Sequence, residues 1–439
     1  MIRIVIVRHG RTAWNADQGS QERFRGTVDL PLAAEGVEQA RATARRLAGV
    51  PLTAIYASPL QRASRTAEII AGPHNLTVQP LPGLRTLDYG DWAGLLHSEV
   101  AQRWPEQYQR WCQDPFALKI PGGDSTADLR GRAFAAVRHV LARHPDQSTI
   151  VLVSHQAVTK ALVCTLMELP DSAYWRVRQD LCNLNLFDYE PETGVFGLSG
   201  LNDTCHLDLS LPRTSGDGVR FVLVRHGQTA WNQGAGEERF RGRTDLPLDG
   251  TGQTQADALT QRLRQEPIAA IYTSPLRRTR QTVTPLASIL GLAPEPTRGL
   301  LDIDYGQFQG MSQREAAAAY PERYQLWLSR PSQVRFPDGE SLSDVQVRLQ
   351  SILDQITEAH PNQTVVLAGH QIVNKVLTCT LLGIDLDQVW RLRQDTASIN
   401  VYQRAENGWR ILRLNDTCHL ADLGKSSRQH PTSTYGSTM

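Results

Sequence analysis

Lysine is almost missing from this chain. Lys119, Lys160, Lys375 and Lys425 are the four, among 46 basic residues. The remaining cationic charge is guanidinium, and 45 acidic residues reduce the net charge to +1. A polyanion binder normally carries a basic excess, so nucleic acid is excluded as a partner class. Six cysteines occur over 439 residues, and none lies in a C-x-x-C pair or a zinc-like array. Metal-ligating and redox motifs are therefore absent, and the thiols are expected to be reduced and mostly buried. No apolar run is long enough to span a bilayer, which excludes a membrane role of that kind. The first residues, Met1-Ile2-Arg3-Ile4-Val5, enter a strand pattern directly without a signal-peptide pattern. A cytoplasmic protein is expected.

The informative content is a repeat. Val7-Arg8-His9-Gly10-Arg11-Thr12-Ala13-Trp14-Asn15 returns as Val224-Arg225-His226-Gly227-Gln228-Thr229-Ala230-Trp231-Asn232. Ser58-Pro59-Leu60 returns as Ser274-Pro275-Leu276, and His155-Gln156 as His370-Gln371. Trp175-Arg176 matches Trp390-Arg391, and Leu201-Asn202-Asp203-Thr204-Cys205-His206-Leu207 recurs intact from Leu414 to Leu420. The offset drifts from 217 at His9/His226 to 213 at Leu201/Leu414, which short loop indels explain. The chain is thus one unit written twice. Domains are expected at 1–210 and 219–424, joined near the turn-formers Pro212 to Gly218. The polar stretch 425–439 is expected to be disordered.

Within each copy, apolar runs alternate with helical periodicity. The first copy predicts strands at Ile2–Val7, Ala54–Ala57 and Thr149–Val153. Helices are predicted at Ala34–Leu47, from Pro59 to about Ala71, from about Thr126 to Ala142, and from about Ala157 to Met167. Ser125 with Asp128, and Ser341 with Asp344, have capping-box spacing. Such alternation predicts an α/β fold: two tandem three-layer α/β/α domains, each a mostly parallel sheet with helices on both faces.

Arg225 and His226 close the first strand of the second copy, Arg278 follows its second strand, and His370 ends the strand Thr364–Ala368. Strand carboxyl ends are where open α/β sheets bind ligands. Guanidinium forks suit a tetrahedral oxyanion. An imidazole can attack phosphorus through one neutral nitrogen when the other is held. The leaving alkoxide needs a proton, and Asp302 is the candidate acid, with Asp304 on the same side if the segment is extended. In the first copy Arg8, His9, Arg62 and His155 correspond, but Thr86 stands where Asp302 stands. A hydroxyl gives up no proton usefully near neutral pH. Asp88 is the nearest carboxylate, more simply read as a turn cap. Trp104, Trp111 and Trp327, with Tyr108 and Tyr324, are read as core or a substrate lid.

These landmarks resemble the histidine phosphatase, or phosphoglycerate mutase-like, superfamily. They are Arg-His-Gly at the first strand end, Gly-x-x-Asp-x-Pro-Leu (Gly26 to Leu32; Gly242 to Leu248), Ser-Pro-Leu-x-Arg, and the late strand-end histidine. The resemblance covers about 1–205 and 219–420. It implies a phosphohistidine intermediate on His9 and His226, with phosphate pockets from Arg8, Arg62 and His155 and from Arg225, Arg278 and His370. It also implies contacts from Asn15 and Asn232 to the phosphoryl group. Thr229 and Arg241 join the candidate substrate-binding set. So do Gln156 and Gln371, which follow the late histidine where the family often has glycine. The family's usual acid is a glutamate where this chain has Thr86 and Asp302.

The expected function is a metal-independent phosphomonoesterase, without cofactor, acting on a small phosphorylated metabolite. The tandem layout resembles the 2-carboxy-D-arabinitol-1-phosphate phosphatase type. One alternative is mutase-type phosphoryl transfer, which the short segment Tyr305 to Pro337, with its dispersed arginines, disfavours. Another is a first domain acting as a non-catalytic, phosphate-ester-binding module. The expected partner is a small phosphate ester, and the expected state is a monomer whose two domains form an intrachain pseudo-dimer.

Overall fold

The computed structural model describes residues 1–15, 22–214, 216, 218–232, 239–405 and 408–421. The stretch 425–439, expected to be disordered, lies outside the described residues. The chain divides into two compact units, Met1–Leu209 and Ser210–Met439.

In the first unit the elements are β1 (Ile2–Arg8), α1 (Ala34–Leu47), β2 (Ala54–Ala57), α2 (Gln61–Ala71), β3 (Val78–Pro80), α3 (His97–Arg103), α4 (Pro105–Gln113), α5 (Thr126–Leu141), β4 (Thr149–Ser154), α6 (Gln156–Leu166), β5 (Leu184–Glu190) and β6 (Val195–Asp203). Strand order is β3-β2-β4-β1-β5-β6. The first four strands are mutually parallel, whereas β5 pairs antiparallel with both β1 and β6. The sheet is therefore mixed, with an antiparallel hairpin that periodicity did not reveal. Side chains alternate across the sheet. Val5, Val7, Ile55, Ala57, Val151 and Val153 pack with Leu47, Ala63, Ala67 and Ile70 from α1 and α2. Ile4, Ile6, Ile150 and Leu152, also buried, face the opposite side, where α6 packs against β1 and α5. Burial on both faces explains why β1 and β4 read as continuous apolar runs.

The second unit repeats this plan with β7 (Arg220–Arg225), α7 (Gly250–Leu263), β8 (Ile268–Thr273), α8 (Arg277–Leu290), β9 (Glu295–Pro296), α9 (Gln313–Ala319), α10 (Pro321–Ser329), α11 (Leu342–Ala359), β10 (Thr364–Gly369), α12 (Gln371–Leu382), β11 (Ile399–Ala405) and β12 (Gly408–Asp416). Its order is β9-β8-β10-β7-β11-β12, with β11 antiparallel to β7 and β12. Both expected capping boxes form: the Asp128 and Asp344 amides donate to Ser125 and Ser341 Oγ at 3.0 and 3.3 Å. No described helix is long and apolar enough to cross a membrane. All six cysteines are free thiols; Cys112 is exposed and Cys418 partly so, the others buried.

The centre of each sheet positions the site. In the order β8-β10-β7, three neighbouring parallel strands end together, delivering Ser274, His370 and Arg225–His226 to one edge. The loop after His226 is seated by a glycine pair. A Cβ on Gly252 would fall 2.1 Å from the Gln228 carbonyl oxygen, and one on Gly227 would fall 2.7 Å from the Gly252 oxygen. Backbone rather than side chain blocks both positions, so relief requires moving the loop. Gly252→Ala should cost about 1–3 kcal/mol, lowering the urea midpoint of the second unit and its activity together; an unchanged midpoint would refute this reading of the glycine pair.

Candidate active site

His226 lies just past β7 and is buried. Its Nδ1 is 2.7 Å from the Gly227 carbonyl. A carbonyl only accepts, so Nδ1 carries the proton and the Nε2 lone pair is left for attack. Burial first, then Arg278, Arg225 and Arg241, hold the His226 imidazole well below its ordinary pKa. The ring is therefore neutral at physiological pH.

Arg278, from the first turn of α8, is fully buried. Its Nη1 donates to Thr244 O and its Nη2 to Gly242 O, both at 2.8 Å. Nη2 also reaches Asp302 Oδ2 at 3.2 Å, and Nε reaches His370 Nδ1 at 3.2 Å. Guanidinium nitrogens only donate, so His370 Nδ1 accepts and the neutral ring carries its proton on Nε2. That N–H has no partner among the described residues. Burial and Arg278 lower the His370 pKa. The rings of His226 and His370 lie 5.3 Å apart, centroid to centroid.

Asp302 follows a short 3-10 turn, Arg298–Leu300, and is buried. Burial raises its carboxyl pKa against the pull of Arg278 and Arg241. A carboxyl so placed holds its proton to higher pH, as a general acid requires. Asp304 points elsewhere: its Oδ1 accepts from Gly306 N at 3.0 Å, capping a turn, and Oδ2 lies 3.7 Å from Arg243. Asp302 lines the cavity and Asp304 does not, because the Asp304 carboxylate is taken up by the Gly306 amide at the start of the next 3-10 turn and by Arg243.

A cavity of about 560 Å³ opens here, lined by His226, Asp302, Arg239, Arg241, Gln371 and the aromatic wall Tyr305, Tyr324, Trp327 and Trp390. Trp390 Nε1 donates to Trp327 O at 2.8 Å, fixing that wall. Trp327 and Tyr324 are thus both core and cavity lining. Arg225 stands behind His226, buried, with Nη1 donating to the Gln394 carbonyl. Asn232 Oδ1 accepts from the Thr229 amide at 3.1 Å and from its hydroxyl at 2.9 Å, leaving the Nδ2 end as donor. Thr229 is itself buried, and its amide and hydroxyl orient the Asn232 side chain.

The first unit repeats the frame. His9 Nδ1 donates to Gly10 O at 2.7 Å, Arg62 donates to Val28 O and Gly26 O at 2.7 and 2.9 Å, and the His9 and His155 rings are 5.2 Å apart. Burial, then His155, Arg62 and Arg8, keep His9 neutral, and burial with Arg25 brings the Arg8 pKa down to about 10. Asn15 Oδ1 accepts from Thr12 N and Oγ1, both at 2.9 Å. Differences lie in the acid and the late histidine. Thr86 does line the cavity, which is larger, about 790 Å³. His155 pairs its Nε2 with Ser58 Oγ at 2.8 Å. Asp88 Oδ1 caps Gly90 N at 3.0 Å and does not line the cavity. Gln156 does line it, together with Glu22, Arg25 and Lys160, three residues that the sequence motifs did not single out. A charged residue beside Gly26 in the Gly-x-x-Asp-x-Pro-Leu loop was the available signal for Arg25.

From their ordinary separation, the Asp302 and His226 pKa values move toward each other, which enlarges the fraction of sites holding a protonated acid and a neutral imidazole together. In a His9→Ala background, kcat/KM for an alkyl phosphate should persist below the ordinary histidine pKa and fall as pH rises through the raised Asp302 value. Asp302→Asn should lower the rate about 10²–10⁴-fold and abolish that fall; an unaltered pH profile would remove Asp302 from the acid role.

The histidine phosphatase superfamily (branch 1) family model matches residues 4–204 and 221–417. Phosphoserine phosphatase 1 of Hydrogenobacter thermophilus is 37% identical over 205 residues, 47% of this chain and 96% of that protein. The 2-carboxy-D-arabinitol-1-phosphatase of Triticum aestivum is 27% identical over 442 residues, 95% of this chain and 86% of that protein. Among solved structures, a mycobacterial glucosyl-3-phosphoglycerate phosphatase is similar at 28% identity with a TM-score of 0.42, covering 46% of this chain and 98% of its own. With both copies matched by that model, the chain belongs to branch 1 of the histidine phosphatase superfamily and is a phosphoric monoester hydrolase.

Proposed function

We propose that the second unit carries the dominant turnover, hydrolysing a small phosphorylated metabolite through a phosphohistidine on His226, without a metal. The observation that carries this is the buried set Arg278–Asp302–His370 beside a neutral His226. His226 Nε2 attacks phosphorus while Arg225, Arg278, His370 Nε2–H and Asn232 Nδ2 hold the equatorial oxygens. Charge developing on the transferring group then meets guanidiniums already in place, the part that magnesium plays in other phosphoryl-transfer sites. The P–O bond to the alcohol breaks, and Asp302 gives the leaving oxygen its proton. The resulting carboxylate takes a proton from water, which attacks the phosphohistidine and releases inorganic phosphate.

The substrate class we infer is a sugar phosphate or a phospho-acid. Beyond the phosphoryl site the wall offers Arg239, Arg241, Gln313, Gln371 and the hydroxyls of Tyr305 and Tyr324, groups matched to hydroxyls and carboxylates. The full-length similarity to the wheat 2-carboxy-D-arabinitol-1-phosphatase supports an ester of that kind, and the similarity to phosphoserine phosphatase 1 supports a smaller phospho-acid.

On an alkyl phosphate, His226→Ala should lower kcat at least about tenfold, whereas His9→Ala should leave the greater part of the activity. The double variant should fall about 10³-fold or more; activity surviving it would defeat the phosphohistidine reading, and loss caused by His9→Ala alone would reverse the assignment. A screen over sugar phosphates, phosphoserine and simple aryl phosphates should favour the acid- or hydroxyl-bearing esters; preference for bulky aryl phosphates alone would defeat the substrate class.

A further inference from the structure

The first unit lacks a carboxyl at the Thr86 position, yet one carboxylate does line its cavity. Glu22, just ahead of Phe24-Arg25-Gly26, shares that cavity with His9, Arg62, Thr86 and His155, and among the described residues no other lining residue is acidic. Glu22 Oε1 accepts from Arg25 Nη2 at 3.0 Å, and Arg25 Nη1 is fixed by Trp14 O at 3.0 Å. Trp14 belongs to the Arg-His-Gly loop itself, so the Glu22–Arg25 pair is tied to the nucleophile's own segment. Burial pushes the Glu22 carboxyl pKa up, but Arg25 and then Arg8 outweigh it, and the pKa is lowered overall. Arg8 directly precedes His9 in the chain and, with Arg62, acts on its imidazole electrostatically.

We propose that Glu22 is the general acid of the first unit, reaching the leaving group from the loop ahead of Gly26 where the second unit uses Asp302. The proposal rests on the phosphohistidine reading above. Before substrate binds, Arg8 and Arg25 keep Glu22 ionised. A phosphoryl dianion takes over both guanidiniums and adds negative charge beside the carboxyl, and both changes raise its affinity for a proton. Glu22 then takes one from solvent. His9 Nε2 forms the N–P bond, the P–O bond to the alcohol breaks, and the Glu22 proton passes to the departing oxygen. The regenerated carboxylate accepts a proton from water as that water attacks the phosphohistidine, returning His9 and releasing phosphate.

The test uses the full chain carrying His226→Ala, so that only His9 turns over. Rates are compared on p-nitrophenyl phosphate, whose leaving group needs little protonation, and on β-glycerophosphate, whose alkoxide needs it. Glu22→Gln should lose about 10²-fold or more on β-glycerophosphate and much less on p-nitrophenyl phosphate. Thr86→Asp added to Glu22→Gln should restore part of the alkyl rate, and Glu22→Asp should keep part of it, which separates acid chemistry from folding. Equal losses on both substrates would make Glu22 a positioning or structural residue and overturn the proposal. Equal gains on both would make it a carboxylate competing with phosphate for Arg8 and Arg25, and would overturn it as well. If His226→Ala hydrolyses neither substrate, the first unit has no acid to assign, while the second-unit mechanism stands on its own variants.

Discussion

The buried guanidinium of Arg278 is the interaction on which the second site depends. A charge removed from water is costly unless its donors are met. Here two go to backbone carbonyls of the Gly242–Thr244 loop, one to Asp302 and one to His370. Those partners come from three stretches of chain that are remote in sequence. Satisfying one side chain therefore registers the Gly242–Thr244 loop, Asp302 and His370 against one another. Burial, and after it this same charge, holds both imidazoles neutral.

Asp302 is also held through its backbone. Arg243 Nε and Arg348 Nη2 lie 3.4 and 3.3 Å from the Asp302 carbonyl, and both arginines pair with Glu340, at 3.1 and 3.0 Å. Two arginines sharing one carboxylate fix the backbone that presents Asp302 without competing for its carboxyl group. In the first unit Thr27 occupies the Arg243 position, and only Arg132 remains, donating to Thr86 O at 2.6 Å. The scaffold is duplicated, but the electrostatics that tune an acid at that position are not. The first unit instead brings a carboxylate to its cavity from another loop, paired to Arg25.

The aromatic walls follow from packing more than from chemistry. Trp327 contacts Tyr305, Phe336 and Trp390 with ring centroids 5.0–6.2 Å apart. These contacts tie α10, which carries Tyr324 and Trp327, to the segments of Tyr305, Phe336 and Trp390.

The alternation of buried runs with helical periodicity determined the α/β plan, because a strand covered on both faces has no polar residues to interrupt it. The repeat determined that there are two such units, and residues at strand ends determined which arginines and histidines meet. Local capping was legible too, since Ser125 and Ser341 act within one helical turn. The antiparallel hairpins β5–β6 and β11–β12 were not legible, because pairing direction depends on distant strands. Nor was the capture of the Asp304 carboxylate by Gly306 and Arg243, the use of Thr229 to orient Asn232, or the arrival of Glu22 and Arg25 at the first cavity. Each of these is settled by what a side chain meets after the loops close over the sheet, and no spacing along the chain records that.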